Sequence, residues 1–70
     1  KDPKSLFQEI AQAKRGITPK YQQISESGPD HQKLFKIGVY LNDKLIATGQ
    51  GNSKQKAEED AATKATKIIV

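Results

Sequence analysis

The chain has 70 residues, enough for one small domain with a thin core and little stability to spare. It contains no cysteine, which excludes a disulfide framework and a thiolate metal site and favours a reducing, cytoplasmic setting. Twelve Lys and Arg against eight Asp and Glu leave a formal charge of +4, and every cation except Arg15 is a lysine. That balance leans toward a polyanionic partner met at its phosphates rather than at base edges, where the planar arginine fork fits better. No apolar run is long enough to cross a membrane, and the opening KDPKSLFQEI lacks the apolar core of a signal peptide. No membrane partner is expected, and the opening reads as the boundary of a domain within a longer chain.

The first element is a helix, PKSLFQEIAQAKRG. Pro3 suits an early helical position, Lys14 and Arg15 oppose the dipole in the last turn, and Gly16 stops it. Leu6, Phe7, Ile10 and Ala13 recur at helical spacing and are expected on its apolar side. ITPKYQQISESG then turns and extends, because the Thr-Pro pair disfavours further helix. Tyr21 and Ile24 are three apart rather than two, which predicts a bulge or an edge strand. GPDHQ is turn-forming. KLFKIGVYL is the clearest strand, with Phe35, Ile37, Val39 and Leu41 on one face and Lys36, Gly38 and Tyr40 on the other. Asn42-Asp43 makes a tight hairpin turn into a third strand, KLIATGQG. A second helix runs from Ser53 to about Ile69, with Ala57, Ala61, Ala62 and Ala65 as a stripe of small residues, followed by Ile68 and Ile69.

The order is helix, three antiparallel strands, helix. Two helices with one apolar stripe each can cover one face of a three-stranded sheet, so the fold class is α+β, a two-layer α-β-β-β-α domain spanning 1–70 with its core in 3–69. The other sheet face is left to solvent, in keeping with the polar residues alternating along the middle strand.

The segment TGQGNSKQKAEEDAATKA carries the strongest chemical signal. Gly49 and Gly51 are expected to relax the backbone ahead of the helix, and Asn52 or Ser53 to cap it; Asn52 with Gln55 has capping-box spacing. A helix start offers free amide donors and partial positive charge. Lys54 placed there opposes the dipole, so stability does not explain it, whereas a phosphate partner does. Glu58, Glu59 and Asp60 follow closely and are within reach of surface pairs with Lys54 and Lys56, which are worth little. The acids at 58–60 point in different directions around a helix and make a poor metal cage. His31 has no second histidine or cysteine, and no nucleophile–base pair is legible.

The α-β-β-β-α order, the LFQEI start, the SGPDH turn and GQGNSKQKAEEDAA together resemble the double-stranded RNA-binding domain. The form LFQEI…TPKY…SGPDH is closest to the C-terminal RNA-binding domain of bacterial ribonuclease III. The resemblance covers Pro3 to about Ile69, and the implied partner is double-stranded RNA.

Three contact regions follow from this resemblance. On the first helix, Gln8, Glu9 and Gln12 read from spacing alone as a solvated face; by the resemblance they reach ribose 2′-hydroxyls in the shallow minor groove. In the turn, Pro29 and His31 would contact the next minor groove. At the second helix start, Ser53, Lys54, Gln55 and Lys56 would meet phosphates. Gln55 stands where the family usually has a second lysine, and Lys56 lies roughly 100° further round the helix, so weaker phosphate binding is implied. Glu58 occupies a position where eukaryotic members often carry lysine and ribonuclease III an acid, and Thr66 replaces a usual leucine.

The resemblance implies no cofactor for this domain and no catalytic residue within it. Catalysis would belong to an N-terminal, Mg2+-dependent nuclease domain of a homodimeric parent, this domain itself being monomeric. Two other classes share the fold: a non-nuclease regulator or RNA-sensing kinase, and a protein-protein module that has lost RNA binding.

Overall fold

The computed structural model describes residues 1–70. The elements run α1 (Pro3–Arg15), β1 (Lys20–Ser27), β2 (Leu34–Leu41), β3 (Lys44–Gly51) and α2 (Lys54–Ile69). The strands form one antiparallel sheet in the order β1-β2-β3, and the α+β two-layer reading holds.

Local chemistry explains the ends of α1. The Asp2 carboxylate caps it by accepting the Ser5 N–H at 2.7 Å, Pro3 takes the first helical position, and Lys14 and Arg15 fill the last turn. Gly16 ends it at φ 65°, donating its N–H to the Gln12 carbonyl at 2.9 Å. The buried line on α1 is Phe7 and Ala11, with Ile10 half-buried. Leu6 and Ala13, expected to face inward, are exposed. The stripe is narrow because α1 packs chiefly against α2 rather than across the sheet, so a single i, i+4 line is covered.

In the sheet, β1 is an edge strand with a bulge between Gln23 and Ser25, at Ile24. A second irregularity lies opposite Val39 and Tyr40, where Val39 pairs with Ala47 but Tyr40 pairs with Leu45. The extra residue, Ile46, lets both Ile46 and Ala47 pack toward the core. Asn42 turns the hairpin at φ 55°, a left-handed conformation that asparagine tolerates.

The core joins Phe7 and Ala11 of α1, Val39 and Leu41 of β2, and Ala61, Ala62 and Ala65 of α2. Phe7 and Val39 are its largest fully buried side chains, each stabilising the fold by about 1.5–3 kcal/mol. The four alanines of the α2 stripe are buried, but Ile68 is exposed while Ile69 packs against the core. Thr66 is half-buried and returns its hydroxyl to the Ala62 carbonyl at 3.0 Å, satisfying itself within the helix.

Two further sequence expectations change. Gly49 and Gly51 lie in β3, as the third strand KLIATGQG places them, but they do not relax the backbone ahead of α2, since neither has a positive φ. Gly49 is buried under α2, where an added Cβ would sit 2.1 Å from the Ala61 nitrogen and 2.4 Å from the Ala57 oxygen. The glycine is there so that helix and strand backbones can touch. The open face of the sheet is also not wholly polar: Ile24, Tyr40 and Leu45 crowd over Gly38, with Ile24 and Leu45 44% and 46% exposed.

Tyr21 links this scaffold to the flank described next. Its hydroxyl is buried without a hydrogen-bond partner. Burial, reinforced by the carboxylates of Glu58 and Asp2, pushes the phenol up from 10.0 to about 12. Between those values the unfolded chain releases the proton first, so stability falls as pH rises through that window. Tyr21→Phe should therefore show a smaller loss of stability from pH 10 to 12 than the wild type, with little cost at neutral pH because no hydrogen bond is lost. Urea midpoints across that range test it; parallel curves for the two proteins would rule it out.

Candidate nucleic-acid interface

The residues singled out in the sequence come from three separate elements; the fold joins the two helical groups in one continuous surface, and the turn approaches it at Asn52. On α1, Gln8, Glu9 and Gln12 are exposed on the side away from Phe7 and Ala11, and they line a shallow concavity with Ser5 and Ala13. Glu9 pairs with Lys1, and the Gln12 amide donates to the Thr18 hydroxyl. All of these groups are at the surface, where an incoming hydroxyl can replace them at small cost.

The helix start of α2 is built by Ser53, whose backbone is extended and whose hydroxyl oxygen accepts the Lys56 N–H at 3.1 Å. Ser53 is thus the cap, and the Asn52–Gln55 box does not form. No acid occupies the first turn of α2, so its dipole and unpaired N–H groups face outward uncompensated.

The expected pairs between the acids at 58–60 and Lys54 or Lys56 do not form either. Glu58 turns to Lys4 of α1, with nitrogen and oxygen 2.5 Å apart. Glu59 accepts from the Gln55 amide at 3.3 Å. Asp60 accepts the backbone N–H of Gln50 at 2.9 Å and pairs with Lys64 at 3.1 Å. The Gln50 N–H, ahead of Lys64, holds the Asp60 carboxyl below the usual carboxylate range despite some desolvation. Glu58 and Asp60 are drawn to α1 and to the β3 backbone, partners that local spacing does not show, while Glu59 and Asp60 also bond within α2 at i, i+4 spacing, to Gln55 and Lys64. Lys54 is left exposed and in no ion pair.

A groove between the two helix starts is lined by Lys4, Ser5 and Gln8 from one side and Lys54, Gln55, Glu58 and Glu59 from the other, with Asp2 at its end. Ser5 and Gln8 border both this groove and the α1 concavity, so the first and third regions are continuous. Lys56 is absent from the groove and its Cβ lies toward Gly51, in keeping with its offset around the helix.

The middle region is the turn between β1 and β2. Gly28 takes φ 92°, and a Cβ there would meet the Gln32 oxygen at 2.4 Å. The Gln32 N–H closes the turn on the Pro29 carbonyl at 2.9 Å, leaving Pro29 and His31 exposed at the tip. Lys33 braces the turn from within, pairing with Glu26 at 3.0 Å. A concavity beside His31 reaches Asn52, which immediately precedes the α2 cap.

Sequence reasoning missed three residues of this flank. Ser5 stands three and four residues before Gln8 and Glu9, and helical spacing alone would have found it. From the sequence Asn52 reads only as a candidate cap, and Lys4 gives no local signal, because each joins the site through residues distant in sequence.

These features define a class: a two-layer α-β-β-β-α domain that presents an exposed polar helix face, a hairpin turn and a cationic helix start. The family model described as the double-stranded RNA binding motif matches residues 3–69, and the chain belongs to that family. It is 55% identical over 64 residues to ribonuclease 3 of Campylobacter fetus, covering 91% of this chain and 29% of that protein. It is 48% identical over 69 residues to ribonuclease 3 of Carboxydothermus hydrogenoformans, covering 99% of this chain and again 29% of the relative. The chain therefore spans less than a third of the length of these relatives. Among solved structures, Dicer from Pichia stipitis superposes on 93% of the chain and 31% of its own with a TM-score of 0.74 at 22% identity, a likeness of fold.

Proposed function

We propose that this chain binds double-stranded RNA by shape, as the substrate-holding domain of a ribonuclease III. The observation that carries the reading is that Gln8 of α1 and Lys54 of α2 line one groove, with His31 exposed beside a concavity that reaches Asn52 ahead of α2, in a domain of the double-stranded RNA binding motif family. An A-form duplex offers two minor grooves separated by a major groove, and a domain of this kind spans about 16 base pairs of it. In this reading Gln8, Glu9 and Gln12 meet ribose hydroxyls in one minor groove, and Pro29 and His31 meet those of the next. Ser53, Lys54 and Gln55 face the phosphates between, with Lys56 at the margin.

The parent would be a cytoplasmic homodimer whose nuclease domain uses Mg2+, with this domain monomeric in itself.

The test is a gel-shift titration with RNA and DNA duplexes of matched sequence and about 20 base pairs, long enough for the footprint. The RNA duplex should bind more tightly at moderate salt, and scrambling its base order should change little. Equal affinity for RNA and DNA would overturn the reading.

A further inference from the structure

We infer that Lys4 is a second phosphate-binding cation of this flank and that Glu58 sets how strongly it acts. The inference rests on the RNA-binding reading above. Lys4 lines the groove that Lys54 lines, but it comes from the other helix. Its ammonium lies 5.1 Å from the centre of the Tyr21 ring, which supports it from the protein side. Its one ionic partner is Glu58 at 2.5 Å, and the two side chains are 40% and 26% exposed. The pair is open to the groove, so a phosphate oxygen can approach the ammonium without first unfolding anything.

Charge in the groove gives Lys4 its importance. Its lining holds two lysines, Lys4 and Lys54, and three carboxylates, Asp2, Glu58 and Glu59, a formal sum of −1. Two of these carboxylates are engaged locally, Asp2 in capping α1 and Glu59 with Gln55. Asp2 and Glu59 keep their charge, being hydrogen-bonded to neutral N–H groups, while Glu58 alone is in direct contact with a lysine of the groove. A phosphate entering beside Lys54 therefore gains the Lys4 ammonium as a direct partner only as far as Lys4 is released from Glu58. Gln55 adds an amide but no charge, which leaves Lys4 as the one other cation of the groove. The ion pair holds the ammonium at the rim and at the same time lowers its pull on phosphate. It acts as a brake on affinity that couples α1 to the start of α2.

The variants are Glu58→Gln, Lys4→Gln, Lys4→Arg and the double variant Lys4→Gln/Glu58→Gln, each titrated with one RNA duplex across a salt series and melted on the same sample. Glu58→Gln should tighten binding about threefold and steepen the log-log salt slope by up to about one unit. Lys4→Gln should weaken binding and flatten the slope, and Lys4→Arg should retain the wild-type slope. In the Lys4→Gln background, Glu58→Gln should gain less than half of what it gains alone. Lys54→Ala serves as the control. If Lys54→Ala flattens the slope while the Lys4 and Glu58 variants change only the melting temperature, the pair is a clasp between the helices and the inference is overturned. It is overturned equally if Glu58→Gln gains as much without Lys4 as with it. If Lys54→Ala leaves the slope unchanged as well, the phosphate reading of the groove has failed with it.

Discussion

Gly49→Ala is expected to destabilise the domain by about 3 kcal/mol, at the upper end of what overpacking costs. The added methyl would meet the Ala61 nitrogen at 2.1 Å, the Ala57 oxygen at 2.4 Å and the Ala61 Cα at 2.7 Å. These are backbone atoms of α2, so no side chain can rotate out of the way. Relief requires α2 to lift from β3, which opens the layer holding Ala57, Ala61, Ala62 and Ala65 at zero exposure. A 70-residue domain has only about 3.5–10 kcal/mol in total, so the loss is a large fraction. Urea unfolding of the two proteins measures it directly. A midpoint within experimental error of the wild type would mean that α2 and β3 are not in backbone contact at Gly49. Gly38→Ala, on the opposite face, should cost less, because its nearest neighbours are the side-chain tips of Leu45, Ile24 and Tyr40.

Lys54→Ala should have the largest effect on RNA binding of any single charge removed. Lys54 is exposed at the first position of α2, is held by no carboxylate and adds its charge to the unpaired N–H groups of that turn. Phosphate contacts position a duplex without reading its sequence, so affinity should fall alike for every RNA sequence. The log-log salt slope should lose roughly one unit, by analogy with counterion release from DNA. Folding stability should hold or rise slightly, since alanine is the better helix former and a cation opposing the dipole is gone. Lys56→Ala should do less, because its side chain lies toward Gly51 and outside the groove. A larger effect from Lys56 than from Lys54, with both proteins folded, would mean that phosphates approach α2 from the β3 side instead.

Features that depend on neighbours along the chain are legible in the residues alone. Element order follows from periodicity, from Pro3 and Gly16 at the ends of α1, and from the two-residue turn at Asn42-Asp43. The irregular spacing of Tyr21 and Ile24 marked a bulge because a strand's side chains must alternate, and a break in alternation has a local cause. The three groups of candidate binding residues are named through the resemblance, each as a short motif on a helix turn or a loop; spacing alone reads the first of them as a solvated face.

Features that depend on which elements meet are set by packing. Gly49 looks like turn chemistry until α2 is laid across β3, when it becomes the point of backbone contact. Leu6 is as apolar as Phe7, and only the narrow seam between α1 and α2 leaves one exposed and the other buried. The acids at 58–60 lie beside Lys54 and Lys56 in the sequence, yet they are claimed by Lys4, Gln55, the Gln50 backbone and Lys64. An ion pair on the surface is weak enough that its partner is whichever charge lies within about 4 Å, four residues away for Asp60 and Lys64 but on the other helix for Glu58 and Lys4. Lys54 is free for that reason, and Lys4, from the opposite end of the chain, shares its groove.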